Sequence, residues 1–345
     1  MQAVIMAAGK STRAYPLTLT KPKPLLKAAN KAILEHNLDN LNRIVDEAII
    51  IVGYKKDLIK KRFGNNYKSL KIRYTEQKQQ LGTAHALSAA ERHIKGRFLL
   101  MAGDDIYSKV DIKNCIRHNY SILTAKVKNP QNYGVIIKKN GVLADFVEKP
   151  KKFISNLINT SLYCLDKKIF DCLKQVKKSK RNEFEMPDAI KLLSKKNKIY
   201  CIPSKQWIPI AYPWDLLKAD RILRKGKNII GKNSKITGKV KNSTIGNNCS
   251  IMGNVENSVV MDNAIIDRNS RIQDSVIGEN AYFNGKIMSK NNVSSMVNGK
   301  KIKAGRLGAI IADNVNAKNV IIKAGCKIWP NKSVSDKTIK EDVIQ

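Results

Sequence analysis

Apolar positions in the first part of the chain fall into short, separated runs. Residues 3–7 form a brief apolar run that stops at Gly9. Ile33, Leu34, Leu38 and Leu41 recur at three- and four-residue steps, which predicts a helix over 32–44. Residues 48–52 are almost continuously aliphatic, the pattern of a strand covered on both faces. A strand is predicted over 71–75, a helix over 83–94 and a third buried strand over 98–102, closed by Gly103, Asp104 and Asp105. Alternating strands and helices predict a parallel, Rossmann-like α/β sheet, in which ligands lie at the carboxyl ends of strands. Three loops stand at such ends: after Ala7, after Thr75 and after Ala102. From 121 to 165 the texture turns strand-rich, with strands expected over 122–128, 133–138 and 142–148. Helices return over 167–176, 187–195 and 213–224.

After Lys227 the period changes. Aliphatic or aromatic residues recur six positions apart with a small residue between: Ile230-Ser234-Ile236, Ile245-Cys249-Ile251, Val260-Ala264-Ile266, Ile266-Ser270-Ile272, Ile277-Ala281-Phe283 and Ile322-Cys326-Ile328. Asn, Gly and Asp fill the turns. A sandwich would alternate at period two; a six-residue period predicts a left-handed parallel β-helix of hexapeptide repeats, each coil burying its face only by stacking on the next. The chain thus divides into an α/β domain over 1–226 and a β-helix over 227–345.

The length of 345 residues suits two cored domains, and 43% hydrophobic residues argues against disorder. The formal net charge of +36 invites a nucleic-acid reading. Against it, 51 of the 64 basic residues are lysine and only 13 arginine, and they are spread along the chain rather than gathered in a stripe. Solvated faces account for that charge, so no specific nucleic-acid partner is expected. The six cysteines contain no CxxC pair, which favours isolated thiols over a zinc or redox site. The N-terminal apolar run is too short for a signal peptide and nothing later approaches a membrane span, so no membrane partner and a cytoplasmic location are expected.

Candidate chemistry sits in the three loops. The first reads Ala7-Ala8-Gly9-Lys10-Ser11-Thr12-Arg13, then Tyr15-Pro16-Leu17-Thr18, then Lys21-Pro22-Lys23-Pro24-Leu25-Leu26. Gly9 allows close backbone approach, loop N–H groups suit phosphate oxygens, and Arg13 and Lys23 suit a polyphosphate. No GxxxxGK[ST] is present, which excludes a P-loop enzyme. The string resembles the nucleotide-sugar pyrophosphorylases (sugar-1-phosphate nucleotidylyltransferases), whose signature is close to AAGxGTRxxPLT followed by KPxPLL. The resemblance continues in order. Gln77-Lys78-Gln79-Gln80-Leu81-Gly82-Thr83-Ala84 is similar to the family's base-recognition segment. Gly103-Asp104 is similar to its metal turn, and Tyr133-Gly134, Glu148-Lys149-Pro150 and Asn159 to its sugar-phosphate pocket. Tyr212-Pro213-Trp214-Asp215-Leu216-Leu217 resembles a segment of archaeal thymidylyl- and uridylyltransferases, a group that also carries the β-helix.

The resemblance implies in-line transfer of a nucleotidyl group from UTP or dTTP to glucose 1-phosphate or N-acetylglucosamine 1-phosphate, with release of pyrophosphate. It assigns Arg13 and Lys23 to the triphosphate, and Ala7, Ala8, Gly9, Ser11, Thr12, Gln77, Gly82 and Thr83 to the nucleotide. It assigns Gly134, Glu148, Lys149 and Asn159 to the sugar phosphate, and Asp104 to Mg²⁺. β-Helices of this type trimerise along their faces, so a homo-oligomer, a trimer or a multiple of one, is expected.

Departures from the pattern are equally specific. Ser11 and Ser161 stand where the family usually has Gly, and Pro187 replaces a common Thr. In Trp207-Ile208-Pro209-Ile210-Ala211 the family reads W-x-D-x-G, so Pro209 takes the place of its second metal carboxylate. Pro209 keeps open a catalytically weakened paralogue serving as a regulatory or assembly subunit. Relatives that also acetylate an amino sugar use a histidine base in the β-helix. Here His36, His85, His93 and His118 all precede that region, and the counterpart stretch, Tyr282-Phe283-Asn284-Gly285 and Asn291 to Ser295, has none. Acetyltransferase activity is therefore expected to be absent.

Overall fold

The computed structural model describes residues 1–344. It separates into two compact units: Met1–Gly9 with Leu34–Ile208, and Lys10–Ile33 with the chain from Pro209 onward.

The first unit is built on β1 (Gln2–Ala7), β2 (Glu47–Val52), β3 (Leu70–Glu76) and β4 (Phe98–Ala102). They lie in the order β3-β2-β1-β4, every pair parallel. All six residues of β2 are buried, which explains its unbroken aliphatic run. Five further strands extend the sheet beyond β4, with antiparallel pairings except that Tyr200–Pro203 runs parallel to Ser121–Lys126. They are β5 (Ser121–Lys126), β6 (Gly134–Lys139), β7 (Val142–Glu148), β8 (Leu157–Leu165) and β9 (Tyr200–Pro203), in the order β6-β7-β9-β5-β8-β4. Of the predicted helices, 83–94 is shorter than expected. It runs Thr83–Ser88 and is followed by a 3₁₀ turn at Glu91–His93. A helix at Lys56–Phe63 was not predicted, because its run of lysines leaves only Ile59 and Phe63 buried.

In the second unit short parallel strands stack coil upon coil, the arrangement of a β-helix. One column runs Ile230, Ile245, Val260, Ile277, Ile311 and Ile328, each paired with the next. Equivalent residues of neighbouring coils are 15 or 17 apart, less than three full hexads, except where an inserted segment sets Ile277 and Ile311, and Asn280 and Asn314, 34 apart. The shortfall lies on the third side, where Val240 pairs with Val255 and Val255 with Ile272. Side chains of this column and its neighbours fill a continuous interior in which Ile245, Ile251, Val260, Ile266 and Phe283 are fully buried.

One corner carries an asparagine ladder. Along Asn233, Asn248, Asn263, Asn280, Asn314 and Asn331, the side-chain amide of each of the first five donates to the next, at 2.8 to 3.3 Å. All six adopt left-handed backbone with φ between 54° and 62°. Asn tolerates that conformation better than other side chains, which is why Asn fills these corners.

Between two coils the chain leaves the β-helix as an antiparallel hairpin, β10 (Lys290–Val297) and β11 (Lys300–Leu307). Its two-residue turn is Asn298-Gly299, both at positive φ, as a type I′ turn demands. Among the described residues no helix is long and apolar enough to cross a membrane.

Candidate functional site

In the first unit the ends of β1 and β4 lie side by side, with Met6 paired to Ala102. The Gly103 N–H donates to the Met6 carbonyl at 2.9 Å, and a Cβ on Gly103 would come within 2.9 Å of that oxygen. Only glycine fits there, and it turns the chain so that Asp104 emerges beside Ala7-Ala8-Gly9 at the carboxyl edge of the sheet. The Ala8 carbonyl accepts from the Tyr54 N–H and the Gln80 side-chain amide, both at 3.0 Å, which fixes the start of the loop.

The segment after β3 is clamped from both sides. The Gln77 side chain is buried and donates to the Gly82 carbonyl at 3.1 Å, with His85 Nδ1 3.2 Å away. Gly82 has φ +104°, and a Cβ would come within 2.3 Å of the Phe184 carbonyl. The Phe184 N–H donates to Leu81, and the Ala84 N–H donates back to Phe184. The Thr83 hydroxyl accepts from the Met186 N–H at 3.0 Å. Gln77, Gly82 and Thr83, predicted together, are therefore held in one rigid turn.

A second predicted group gathers at the ends of β6, β7 and β8. A Cβ on Gly134 would meet the Phe146 ring at 2.5 Å and the Glu148 carboxylate at 2.8 Å, so the missing side chain makes room for both. Lys149, at φ 43°, donates its N–H to the Tyr133 carbonyl. Asn159 donates to the Tyr163 hydroxyl at 2.7 Å and accepts from the Ser161 N–H at 2.8 Å. Burial raises the Glu148 pKa above the usual glutamate value; Lys149 and Arg181 oppose the rise and Glu185 adds to it.

Two residues near these groups were given no role from the sequence. Arg181 reaches Glu148 at 3.2 Å and Glu185 at 3.0 Å. Trp207 donates from Nε1 to Asp105 at 3.0 Å and packs edge-on against Tyr133 at 6.1 Å between centroids. Trp207 thereby ties the aspartate turn to the Tyr133-Gly134 segment. The Trp207–Ile208 strand pairs with Ile106–Tyr107 and runs straight into Pro209, whose side chain has no ligating atom. No group of three or more His, Cys, Asp or Glu side chains suited to a metal occurs among the described residues.

Ser11, Thr12, Arg13 and Lys23 belong to the second unit. Ser11 has φ 52° and leads into a 3₁₀ turn, Thr12–Ala14, with Arg13 exposed; its carbonyl accepts from the Thr18 hydroxyl. The family's glycine at this position is explained by that left-handed backbone, as is its glycine at Ser161, where φ is 64°. Lys23 opens a second 3₁₀ turn and is only 3% exposed, so it is not a solvated surface lysine. Asp215 accepts from the Ala211 and Tyr212 N–H groups, both at 2.8 Å. Burial raises the Asp215 pKa, opposed by these bonds and by the Lys23 charge.

Comparison with known proteins places this geometry in context. The nucleotidyl transferase family model matches residues 2–226, and a model described as the GMPPB C-terminal domain matches residues 222–344. The chain is 38% identical over 251 residues to the bifunctional protein GlmU of Methanococcus vannielii. That match covers 70% of this chain but only 58% of the relative's length. It is 35% identical to the UTP–glucose-1-phosphate uridylyltransferase AglF of Haloferax volcanii, over 65% of this chain and 97% of that protein. A bifunctional sugar-1-phosphate nucleotidylyltransferase/acetyltransferase of Sulfurisphaera tokodaii is 30% identical, over 95% of this chain and 94% of its own length.

Proposed function

Because the chain belongs to the nucleotidyl transferase family, we propose that it transfers a nucleotidyl group from UTP or dTTP to a sugar 1-phosphate and releases pyrophosphate. An oxygen of the sugar phosphate attacks the α-phosphorus; that P–O bond forms as the bond to the pyrophosphate oxygen breaks. Glucose 1-phosphate and N-acetylglucosamine 1-phosphate are the proposed acceptors. The observation that carries this reading is the pair of neighbouring strand ends that set Ala7-Ala8-Gly9 beside Gly103-Asp104.

Such a reaction depends on positioning and neutralisation more than on a protein nucleophile. Backbone groups of Ala7 to Thr12 cradle phosphate oxygens, while Arg13 and Lys23 balance the charge that develops on the leaving pyrophosphate. Gln77, Gly82 and Thr83 read the pyrimidine edge. Glu148 accepts from sugar hydroxyls, Lys149 grips the sugar phosphate, and Gly134 and Asn159 shape the pocket. Asp104, a carboxylate at the end of β4, would hold Mg²⁺, an ion that needs only one or two protein carboxylates when substrate phosphates are present. When bound, the ion would neutralise phosphate charge.

We further propose a left-handed β-helix, a homo-oligomer formed through it, and a cytoplasmic location. The six unpaired cysteines fit a reducing compartment. With no histidine after residue 118 to serve as base, acetyl transfer to an amino sugar is expected to be absent. Acetyl-CoA-dependent loss of glucosamine 1-phosphate at an enzymatic rate would overturn that expectation.

Pro209 favours a second reading, a weakened paralogue acting as a subunit. One experiment separates the two. Pyrophosphate release is measured with Mg²⁺, UTP or dTTP, and each sugar 1-phosphate, for the natural chain and for Pro209→Asp. Turnover by the natural chain supports the enzyme. Turnover only after the substitution supports a site short of one ligand. No turnover by either form with any pair removes the enzymatic reading.

A further inference from the structure

The segment 12–30 has little structure of its own: two three-residue 3₁₀ turns and a two-residue strand pair. Several of its side chains are tied to the β-helix. Lys21 is 8% exposed, and its Nζ lies 2.8 Å from Glu279 Oε1 and 2.9 Å from Asp313 Oδ2. The Thr20 hydroxyl donates to the same Asp313 oxygen at 2.6 Å, while the other oxygen accepts from the Glu279 N–H at 2.8 Å. Asp313 is itself 5% exposed, so a buried carboxylate is committed to two consecutive residues of the segment. Farther along, Lys27 pairs with Asp262, and Asn30 donates to the Ile245 carbonyl at 2.7 Å. At the other end the turn of the β10–β11 hairpin closes in: Asn298 donates its side-chain amide to the Thr12 hydroxyl at 3.2 Å.

The hairpin is anchored for this reach. Arg306 pairs with Asp274 at 2.8 Å. The Ser295 hydroxyl donates to the Gly325 carbonyl at 2.9 Å. Lys327, 2% exposed, donates to Ser295 and Met296 and pairs with Asp342 at 2.9 Å.

We propose that the β-helix positions the phosphate-binding loop, with Asp313 and Asn298 as positioning residues: Asp313 fixes Thr20-Lys21, and Asn298 fixes Thr12. The inference rests on the reading of residues 9–23 as the triphosphate cradle. A loop held only by its own short turns would have to be ordered further when the nucleotide arrives, which weakens binding. Grips at both ends place that cost in folding instead, so Arg13 and Lys23 meet the triphosphate already in place.

The test uses the full chain. Asp313→Asn removes the charge at nearly constant shape, Asp313→Glu keeps the charge, and Asn298→Ala removes the tip contact on an exposed turn. KM for UTP, KM for the sugar 1-phosphate, kcat and melting temperature are measured for each. Loss of positioning predicts a rise in KM for UTP of about tenfold or more in Asp313→Asn and Asn298→Ala, with KM for the sugar phosphate little changed. Asp313→Glu should recover part of the loss. Asn298→Ala puts a Cβ residue into left-handed backbone at an exposed tip, so its melting temperature should fall somewhat; a merely structural role for the hairpin would not confine the kinetic loss to KM for UTP. An unchanged KM for UTP in Asn298→Ala and Asp313→Asn, beside an active natural chain, overturns the inference while leaving the proposed function standing. If the natural chain turns over no substrate pair, UTP affinity by calorimetry is the readout. A tenfold weakening in both variants then supports the inference, while equal affinities, or no UTP binding by the natural chain, overturn it.

Discussion

Glu148 shows how one residue's surroundings set its behaviour. Its raised pKa comes first from burial, with Glu185 adding and Lys149 and Arg181 opposing. If Glu148 accepts from sugar hydroxyls as a carboxylate, KM for the sugar 1-phosphate should rise as pH falls through that raised value, above the ordinary 4.5. Removing Arg181 takes away one opposing charge, so Arg181→Ala should move this acid limb to still higher pH. Profiles of kcat/KM for the sugar phosphate against pH, compared between the two proteins, read the shift; superimposable limbs would sink the role of Arg181. The sign for stability follows from the same shift. With the folded pKa raised, Glu148's contribution is complete below its unfolded pKa and is lost as pH rises through the folded one. At this scale the loop residues were legible because their types are unusual in combination. Ser11 and Ser161, noted as departures from glycine, prove to be left-handed positions. Arg181 was not legible: one arginine in a lysine-rich stretch gives no sign that it will reach Glu148.

Elements were legible where one period ran long enough. The all-buried strand at 47–52 and the aliphatic column of the β-helix repeat a simple pattern, and both appear where expected. Coil length was less so, because a coil of 17 residues keeps the six-residue step on two sides but one of 15 keeps it on one side only, as from Ile230 to Ile236. The hairpin carries a strong local turn signal, Asn298-Gly299, but its flanking strands lack the six-residue period of the coils on either side. The asparagine ladder gives the element-scale prediction. Asn263 donates to Asn280 at 3.0 Å, accepts from Asn248 at 3.2 Å, and sits at φ 60°. Asn263→Ala loses both bonds and puts a Cβ residue without a polar group into left-handed backbone, costing roughly 1–2 kcal/mol for the conformation alone. Asn263→Gly loses the bonds but not the conformation, so it should be the milder change. Denaturant midpoints for the two variants check the order, and equal losses would show that conformation does not dominate this corner.

For the whole molecule, charge is the property that most needs a prediction. A net charge of +36 guarantees attraction to any polyanion at low salt, whatever the fold does. The two classes of polyanion differ in how many charges they engage. A duplex lying across spread-out lysines releases many counterions, so its affinity should fall steeply, by a factor of about 10³ or more between roughly 50 and 200 mM salt if six or more phosphates are contacted. In the proposed site a nucleoside triphosphate would engage only a few charges, those of Arg13 and the buried Lys23 beside backbone N–H groups. Its binding should therefore weaken far less over the same range. Titrating the full chain with a mixed-sequence duplex and with UTP at several salt concentrations measures both slopes. A steep duplex slope with no sequence preference, beside a shallow UTP slope, is the expected outcome. Duplex binding that survives the higher salt, with no UTP binding at any salt, would make nucleic acid the true ligand.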